Sequence, residues 1–355
     1  MSNIESLEIL KKKFDKELEI FFDRIIEDVR KRDGFIVEVL EYVKKIVLAG
    51  GKRLRPAFMY YGYLAAGGQE KEKMIKAAIS IELIHIFLLI HDDIIDRDKK
   101  RHSLDTVNSR YAKIGKKIFG TSDSAHFGNS MAIIIGDMIG AMGNKILFDS
   151  GFNPENIIKA LSQLQNVISY TVVGESQDIY IEYQGRASEK EVLKMYENKT
   201  AKYTIEGPLH LGAILAGASD KLIENLSRYA IPVGIAFQIQ DDILGTFGSE
   251  KKLGKSVGSD IIEGKQTLLV VKAREKADRN QKNILKNILG KKNLSGKEIE
   301  EFRKIIHETG ALDYAVNLAR KFIQEGKGEL EKIKIESEAK EFLTEVADFM
   351  VEREW

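Results

Sequence analysis

Apolar residues recur at every third or fourth position along most of the chain, which is the spacing of an amphipathic helix. In residues 4–30 these positions are Ile4, Leu7, Leu10, Phe14, Leu18, Phe21 and Ile25. Gly50-Gly51 ends a second predicted helix over 34–48, and Pro56 lies in the first turn of the next, where proline is well tolerated. The same periodicity predicts further helices over 70–97, 128–149, 155–182, 189–203, 206–217, 220–244, 266–289, 297–307, 311–332 and 337–352.

Segment 167–183 is the ambiguous part of this pattern, because Val, Tyr, Thr and Ile favour strands. We interpret it as helix, since its neighbours are helical and no partner strand is evident. Only 4 prolines occur, and no Pro/Ser-rich linker divides the chain. The sequence therefore predicts one all-α domain over 1–355. Two stretches, 99–124 and 245–265, are predicted to be long irregular loops, whose Lys, Arg, Gly and Thr content favours contact with an anion.

Composition narrows the class of protein. The 355 residues are 43% hydrophobic and 31% charged, which is enough for a large core under a polar surface. The net charge of +1 argues against nucleic acid as a partner, and the absence of cysteine excludes disulfides, thiol catalysis and cysteine-bound metals. The N-terminal segment is charged, and the purely apolar runs are shorter than the ~18 residues that cross a bilayer. We therefore expect a cytoplasmic protein with no transmembrane segment.

Two acidic motifs each close an apolar helix. The first reads HDDIID over 91–96, and the second reads QIQDDILG over 238–245. Asp92 and Asp96 lie four residues apart, so their carboxylates share one helix face and can hold hard cations together. A solvated helix end would explain one such motif. Two of them facing each other would form a carboxylate cage for several Mg²⁺ ions around a polyphosphate.

Basic residues accompany the acidic motifs. The turn GGKRLRP over 50–56 places three cations at a helix start, where backbone N–H groups also favour anions. Further cations in or near loops are Arg101, His102, Lys199, Lys255 and Lys265. Each alone would be explained as a solvated surface charge, but their places beside the acidic motifs favour phosphate binding. The stretch GSEKKLGKS over 248–256 is not a P-loop, because it has five residues between its glycines and no preceding strand.

Together these motifs closely resemble those of the trans-isoprenyl diphosphate synthases, the polyprenyl synthetase family, in their short-chain form. GGKRLRP, IELIHIFLLIHDDIID, ENKTA, FQIQDDIL and GKSVGSDIIEGKQT occur in the family's order between Gly50 and Lys272. The resemblance implies a single polyprenyl synthetase domain, which is an isoprenoid-synthase-type helical bundle around a deep central cavity, usually assembled as a homodimer.

The resemblance also implies a role for each motif residue. About three Mg²⁺ ions would be held by Asp92, Asp96 and Asp241, with Asp93 and Asp242 in support. Isopentenyl diphosphate would bind at Lys52, Arg55, His85 and His102. The allylic diphosphate would bind at Arg101, Lys199, Lys255 and Lys265. The nascent carbocation would be lined by Thr200 and Gln238.

The implied reaction joins isopentenyl diphosphate head to tail with dimethylallyl, geranyl or farnesyl diphosphate. Metal ions and cationic side chains neutralise the diphosphate leaving group, so the allylic carbon–oxygen bond ionises, and apolar helix faces keep water from the carbocation. The double bond of isopentenyl diphosphate attacks. The departing diphosphate accepts the proton that is then lost, so no dedicated protein base is expected, and the product is five carbons longer.

Two positions depart from the family's pattern. Gly245 stands where many members have a third Asp in the second motif, and we expect weakened or unchanged metal binding from it. His102 stands where an arginine is expected on isopentenyl diphosphate. An ordinary imidazole is fully charged only below about pH 6.5. The change therefore predicts weaker binding of isopentenyl diphosphate or a pH-dependent Michaelis constant.

Product length is inferred from the resemblance alone. Family members with a bulky residue five positions before the first motif stop elongation early, and here that residue is Phe87, with Leu88 beside it. This pattern favours geranylgeranyl diphosphate over farnesyl diphosphate, with a longer product as a further alternative. A straight helical wheel places Phe87 well away from Asp92 and Asp96, and an ordinary core role for Phe87 stays open.

Two other classes of protein share parts of this pattern. A terpene cyclase has the fold and a first DDxxD, but it would usually carry an Asn/Ser/Glu metal motif second and would not need the basic set Lys52, Arg55 and His85. A non-catalytic partner subunit of a heteromeric synthase would have lost metal ligands or the Lys199-Thr200 pair. This chain retains both.

Overall fold

The computed structural model describes residues 5–120, 123–248 and 258–351. In these ranges the regular secondary structure is helical, apart from an antiparallel pair of two-residue strands, β1 (Lys100–Arg101) with β2 (Leu104–Asp105). The helices up to the second acidic motif are α1 (Glu5–Arg30), α2 (Gly34–Leu48), α3 (Leu54–Ala65), α4 (Lys71–Ile95), α5 (Val107–Phe119), α6 (Ser124–Phe148), α7 (Pro154–Gln184), α8 (Glu189–Tyr196), α9 (Gly207–Leu215) and α10 (Asp220–Phe247). The remaining helices are α11 (Ser259–Glu263), α12 (Leu268–Lys276), α13 (Arg279–Ile288), α14 (Gly296–Glu308), α15 (Ala311–Glu331) and α16 (Ser337–Val351).

The all-α prediction is confirmed, and segment 167–183 is helix within α7. The predicted loop 99–124 is wrong in its second half, where α5 begins after the N-cap Thr106 and ends at Gly120, a glycine with positive φ. Its lysine content suggested a loop, but one face of α5 is buried through Val107, Tyr111 and Gly115. The predicted helix 266–289 is two helices, because α12 ends in extended backbone at Ala277 before Asp278 caps α13.

The two helices predicted over 189–203 and 206–217 form one continuous rod. A π-helical segment, Glu197–Glu206, joins α8 to α9. This segment packs closely against α7 and α10. A Cβ at Gly174 of α7 would lie 2.3 Å from the backbone nitrogen of Lys199, and a Cβ at Gly234 of α10 would lie 2.4 Å from the Ala201 Cα. These glycines therefore permit the close approach of three helices. Single turns of π-helix are frequent at functional sites.

Arg53 fixes the turn that precedes α3. Its backbone is left-handed, with φ 55, and its side chain is 3% exposed. The guanidinium donates hydrogen bonds to Asp15 at 2.7 Å, to Glu82 at 2.5 Å and to the Val47 carbonyl at 2.5 Å. Of the three cations in the GGKRLRP turn, Arg53 is therefore structural, because a buried and fully paired charge has no capacity left for a ligand.

Helices α4 and α6 are both long and apolar enough to cross a membrane by length and composition. About 67% of the apolar window of α4 is buried inside the fold, and this helix carries His85 and the first acidic motif. The corresponding share for α6 is 39%. An apolar helix that ends in a cluster of carboxylates and is covered by its neighbours is typical of the core of a soluble protein.

Candidate active site

One cavity of about 470 Å³ brings most of the predicted site residues together. Its walls come from α3, α4, α7, the π-helical segment and α10, with α11 and the residues after it at one side. Of the predicted residues, those that line it are Arg55, His85, Phe87, Leu88, Asp92, Asp96, Lys199, Thr200, Gln238, Asp241, Asp242 and Lys265. Lys52, Asp93, Arg101 and His102 are not among the lining residues, and Lys255 lies outside the described residues.

The first acidic motif divides between two faces of α4. Asp92 and Asp96 lie one helical turn apart and both line the cavity. Asp93 is buried on another side, where its carboxylate accepts hydrogen bonds from the Arg101 guanidinium at 2.9 and 2.6 Å. Burial raises the pKa of Asp93 to about 6, although Arg101 opposes the rise. Arg101 also lies 3.9 Å from both Asp92 and Asp98, so it neutralises the motif from outside the cavity.

The second acidic motif also has an outer and an inner carboxylate. Asp241 is exposed and lines the cavity. Asp242 is buried and accepts hydrogen bonds from the Tyr196 hydroxyl and, at 2.8 Å, from the Gln238 amide. Burial, with Asp260 nearby, raises the pKa of Asp242. The Gln238 amide oxygen in turn accepts a hydrogen bond from Thr200 at 2.5 Å, so these three polar side chains form one chain across the cavity wall.

Lys199 and Lys265 line the cavity, and both lie close to carboxylates of helix α7. The Lys199 ammonium lies 2.6 Å from Asp178 and 2.9 Å from Glu175, and Lys265 lies 3.6 Å from the same Asp178. Burial and the neighbouring Lys265 would lower the pKa of Lys199, but Asp178, Glu175 and Asp92 outweigh them and raise it overall. Both lysines therefore keep their charge in a buried site.

Glu175 and Asp178 were missed by the sequence analysis. Both line the cavity, three positions apart on α7. Their signal was available, because two acids three positions apart share one helix face and need nearby cations where that face is buried. The segment drew attention only for its strand-like composition.

Arg55 and His85 meet at Tyr203 of the π-helical segment. His85 Nδ1 lies 2.7 Å from the Tyr203 hydroxyl, and the Arg55 guanidinium lies 4.3 Å above the same ring while donating a hydrogen bond to Thr204 at 2.9 Å. Burial, and then the charge of Arg55, lowers the pKa of His85 well below its usual value. His85 is therefore a neutral hydrogen-bonding group rather than a cation at pH 7. The Arg55 Nε is buried without a partner and is free to donate to a ligand.

Lys52 lies in the turn before α3 and His102 lies in the turn between β1 and β2, and neither lines the cavity. Lys52 is exposed, with its ammonium 4.6 Å from the Phe349 ring centroid. His102 has a left-handed backbone, with φ 49, and its ring lies against Gly50, where a Cβ would be 2.6 Å from Nδ1. The structure thus places His102 next to the Lys52 turn, as the resemblance implied, but on its exposed side.

Phe87 and Leu88 line the same cavity as Asp92 and Asp96. Phe87 therefore borders the cavity even though the helical wheel places it on another side of α4 from the acidic residues. The wall contributed by α4 is broad, since it also includes Leu89, His91 and Ile95. If only one narrow face of α4 bordered the cavity, Phe87 would lie outside it. Because two sides of α4 border the cavity, Phe87 is included.

Gly245 has a structural counterpart in Asp260. A Cβ at Gly245 would lie 2.6 Å from Asp260 Oδ2, so the α11 carboxylate fills the space that a side chain at this position would need. Asp260 also lines the cavity. Asp260 lies outside both acidic motifs, and only the fold brings it beside α10.

The donor set fits Mg²⁺ shared with a ligand. Carboxylates from both acidic motifs line one cavity, and carboxylate oxygens suit this hard cation. Within the described residues no three acidic or His side chains converge into a complete metal site. Mg²⁺ is commonly held by one or two carboxylates together with substrate phosphates, and the carboxylates in this cavity suit such a site.

Comparison with known proteins agrees with this geometry. The polyprenyl synthetase family model matches residues 37–306. The chain is 38% identical to geranylgeranyl pyrophosphate synthase from Geoglobus acetivorans, over 93% of this chain and 95% of the relative. It is 34% identical to geranylfarnesyl diphosphate synthase from Aeropyrum pernix, over 87% and 92%.

A solved structure shows the same fold. Geranylgeranyl pyrophosphate synthase from Corynebacterium glutamicum, complexed with isoprenyl diphosphate and magnesium, superimposes with a TM-score of 0.92 at 31% identity, covering 98% of this chain and 99% of that one. The family model covers most of the chain, and the relatives match over nearly its whole length. The chain therefore belongs to the polyprenyl synthetase family, whose members extend prenyl chains.

Proposed function

We propose that this protein is a Mg²⁺-dependent prenyltransferase that condenses isopentenyl diphosphate head to tail with an allylic diphosphate, and that its main product is geranylgeranyl diphosphate. The observation that carries the proposal is the composition of one cavity. Its polar part holds carboxylates of both acidic motifs together with Lys199 and Lys265, and its apolar part is bordered by Phe87 and Leu88. A diphosphate with a hydrocarbon tail matches both parts.

Asp92, Asp96 and Asp241 would hold the Mg²⁺ ions, about three in number. When bound, Mg²⁺ neutralises the charge that develops on a diphosphate leaving group. Asp93 and Asp242 support this set from behind, because each is fixed by hydrogen bonds, to Arg101 and to Tyr196 and Gln238 respectively. Asp260, beside Gly245, adds a further carboxylate at the second motif.

Lys199 and Lys265 would bind the allylic diphosphate, with Lys255 as a further candidate and Arg101 acting through the carboxylates it contacts. Both lysines are held in place by Asp178 before substrate arrives, so little side-chain freedom is lost on binding. Their positive charge favours departure of the diphosphate and hence ionisation of the allylic carbon–oxygen bond.

The carbocation left by ionisation would lie between the polar and apolar parts of the cavity. There the oxygens of Thr200 and Gln238 present partial negative charge, and their mutual hydrogen bond fixes their direction. Apolar walls exclude water, which would otherwise capture the cation as an alcohol.

Isopentenyl diphosphate would bind on the side of Arg55 and His85. Arg55 supplies charge and an unpaired Nε donor, and neutral His85 supplies a hydrogen bond. Lys52 adds charge at the rim, and His102 lies beside the turn that carries Lys52. The double bond attacks the cation to form the new carbon–carbon bond. The proton lost from the resulting cation passes to the departing diphosphate, which leaves a new allylic diphosphate and a balanced reaction.

Product length would be set where the chain grows past Phe87. A hydrocarbon that lengthens away from the diphosphate reaches this ring. Further growth would require the packed side chains around the ring to shift, which costs free energy. Farnesyl diphosphate or a longer product is the alternative. The relative from Aeropyrum pernix is named for geranylfarnesyl diphosphate, and its sequence identity to this chain is comparable to that of the geranylgeranyl synthase.

A homodimer is the proposed assembly. Neighbouring helices α6 and α7 expose large apolar residues, among them Ile133, Ile134, Tyr170 and Val173. Monomeric proteins rarely expose large contiguous apolar patches, and a second copy of this chain would cover these residues. A cytoplasmic location is proposed from the water-soluble substrates.

Turnover by the isolated protein tests the assignment against its alternatives. Purified protein should release diphosphate only when Mg²⁺, isopentenyl diphosphate and an allylic primer are all present. Diphosphate release from an allylic substrate alone, with a cyclic hydrocarbon product, would indicate a terpene cyclase. No turnover by folded protein under any of these conditions would indicate a non-catalytic partner subunit.

A further inference from the structure

The Phe87 ring is supported from behind by helix α6. On that helix the ring lies over Gly140, where a Cβ would be 3.2 Å from Cγ and 3.3 Å from Cδ1 of Phe87. The same ring lines the cavity, so it is a thin partition between the α6 backbone and the space for substrate. Any side chain at Gly140 would need room that only a movement of this ring can supply.

The ring cannot move sideways without displacing His91. The two rings meet edge to face, with centroids 4.9 Å apart. His91 is itself held against α6, because its Nε2 lies 3.1 Å from the Ile133 carbonyl and a Cβ at Gly136 would lie 2.5 Å from that nitrogen. In a close-packed interior, a ring blocked by α6 and by a fixed neighbour moves toward the open space. That space is the cavity.

We infer that Gly140 determines product length, by allowing Phe87 to lie back against α6. The inference rests on the proposed function, in which Phe87 limits the growing chain. Gly140 is a positioning residue, since it acts through Phe87 and does not line the cavity. A methyl group at this position would move the ring toward the substrate by a few tenths of an ångström and shorten the space for hydrocarbon.

Gly140→Ala tests the inference through the ratio of twenty-carbon to fifteen-carbon products formed from geranyl diphosphate. We expect this ratio to fall about threefold or more, because one methylene in an apolar pocket is worth roughly 10- to 200-fold in discrimination. Gly143→Ala is the matched control. It makes the same change one turn along α6, where a Cβ meets the Ser80 carbonyl and Ile84 instead of Phe87.

A lower ratio in Gly140→Ala with an unchanged ratio in Gly143→Ala would support the inference. An unchanged or higher ratio in Gly140→Ala, or an equal fall in both variants, would overturn it. If Gly140→Ala yields too little folded protein, Phe87→Leu/Gly140→Ala compared with Phe87→Leu makes the same test with a smaller side chain, and the double variant should again give the shorter products.

Phe87→Ala separates this inference from the proposed function. If Phe87 limits the chain, this variant makes longer products, and adding Gly140→Ala to it changes nothing further. Longer products from Phe87→Ala without any effect of Gly140→Ala in the natural chain would refute the role of Gly140 alone. Unchanged products from Phe87→Ala would refute Phe87 as the limit and the inference with it.

Discussion

The ammonium group of Lys265 lies 3.7 Å from the Asp96 carboxylate, although the two residues are far apart in the chain. Lys265 also lies 3.6 Å from Asp178 on α7, so one cation joins the first acidic motif, helix α7 and the segment after α11. This buried network holds the charges that a diphosphate needs before any substrate is present. It accounts for the convergence of two separate sequence motifs and helix α7 on one cavity.

Removing the charge of Lys265 should impair use of the allylic substrate. In Lys265→Ala we expect kcat/KM for the allylic diphosphate to fall by about 10²-fold, since loss of one preorganised charge-stabilising donor typically costs 10²- to 10³-fold. Lys272→Ala is the matched control, because Lys272 pairs with Glu189 and Glu275 and does not line the cavity. Equal losses in the two variants, measured by steady-state kinetics, would contradict a direct role for Lys265.

The outer carboxylates of the two motifs should govern the requirement for metal. Asp92→Asn and Asp241→Asn should each raise the Mg²⁺ concentration for half-maximal activity by about 10-fold or more, because even residues behind the metal ligands cost 10- to 100-fold in affinity when changed. Asp149→Asn, at the far end of α6 and paired with Lys145, should match the unmodified protein. A Mg²⁺ dependence that none of the three changes would contradict the assigned ligands.

The contribution of Glu263 to the stability of the protein without substrate or metal should fall between pH 5 and pH 7. Burial raises the pKa of Glu263 from its usual 4.5 to about 7, although Lys265 opposes the rise. The folded state therefore binds its proton more tightly than the unfolded chain, and this preference is lost as pH rises through the folded value.

Glu263→Gln should reduce the fall in the free energy of unfolding with rising pH by on the order of 1 kcal/mol. This figure is smaller than the full linkage value because the side chain is partly in contact with water. Urea unfolding at pH 5 and pH 7.5 measures it. Glu224→Gln, which removes an exposed carboxylate paired with Arg228, is the control. An identical decline in the Glu263 variant and the unmodified protein would show that this carboxyl does not contribute.

A charge on the apolar face of α6 should separate the two subunits. Ile134 is 65% exposed, and Ile134→Glu would place an unpaired carboxylate in the proposed dimer interface. Sedimentation velocity should give a dimer for the unmodified protein and a monomer for the variant. Ile9→Glu, at an isoleucine 51% exposed on α1, should remain dimeric. A monomer in the unmodified protein would rule out the proposed assembly.

Motif spacing located the acidic part of the cavity, because acidic pairs at helix ends are local features that survive any arrangement of the helices. Asp92, Asp96 and Asp241 all line the cavity, and so does Lys199, whose role was implied by the family resemblance. The features that motif spacing did not predict depend on tertiary contacts between distant parts of the chain. Nothing local to Arg53 indicates that it is buried by Asp15 and Glu82 rather than presented to a ligand.

The same limit applies to Asp260 and to helix α5. Asp260 becomes a neighbour of Gly245 only when α11 folds back on α10, and the charged helix α5 becomes stable only because one face is covered by α6. Helix existence was thus well predicted where apolar periodicity is strong. It was missed where packing rather than sequence supplies the stability.

Product analysis tests the central claim most directly. Purified protein would be incubated with labelled isopentenyl diphosphate, Mg²⁺ and each of the dimethylallyl, geranyl and farnesyl primers, and the dephosphorylated products would be sized by chromatography. We predict a dominant twenty-carbon alcohol from every primer. Products of thirty carbons or more would agree with a prenyltransferase but contradict Phe87 as the limit of the pocket. No elongation by folded protein with any primer would contradict the assignment as a prenyltransferase.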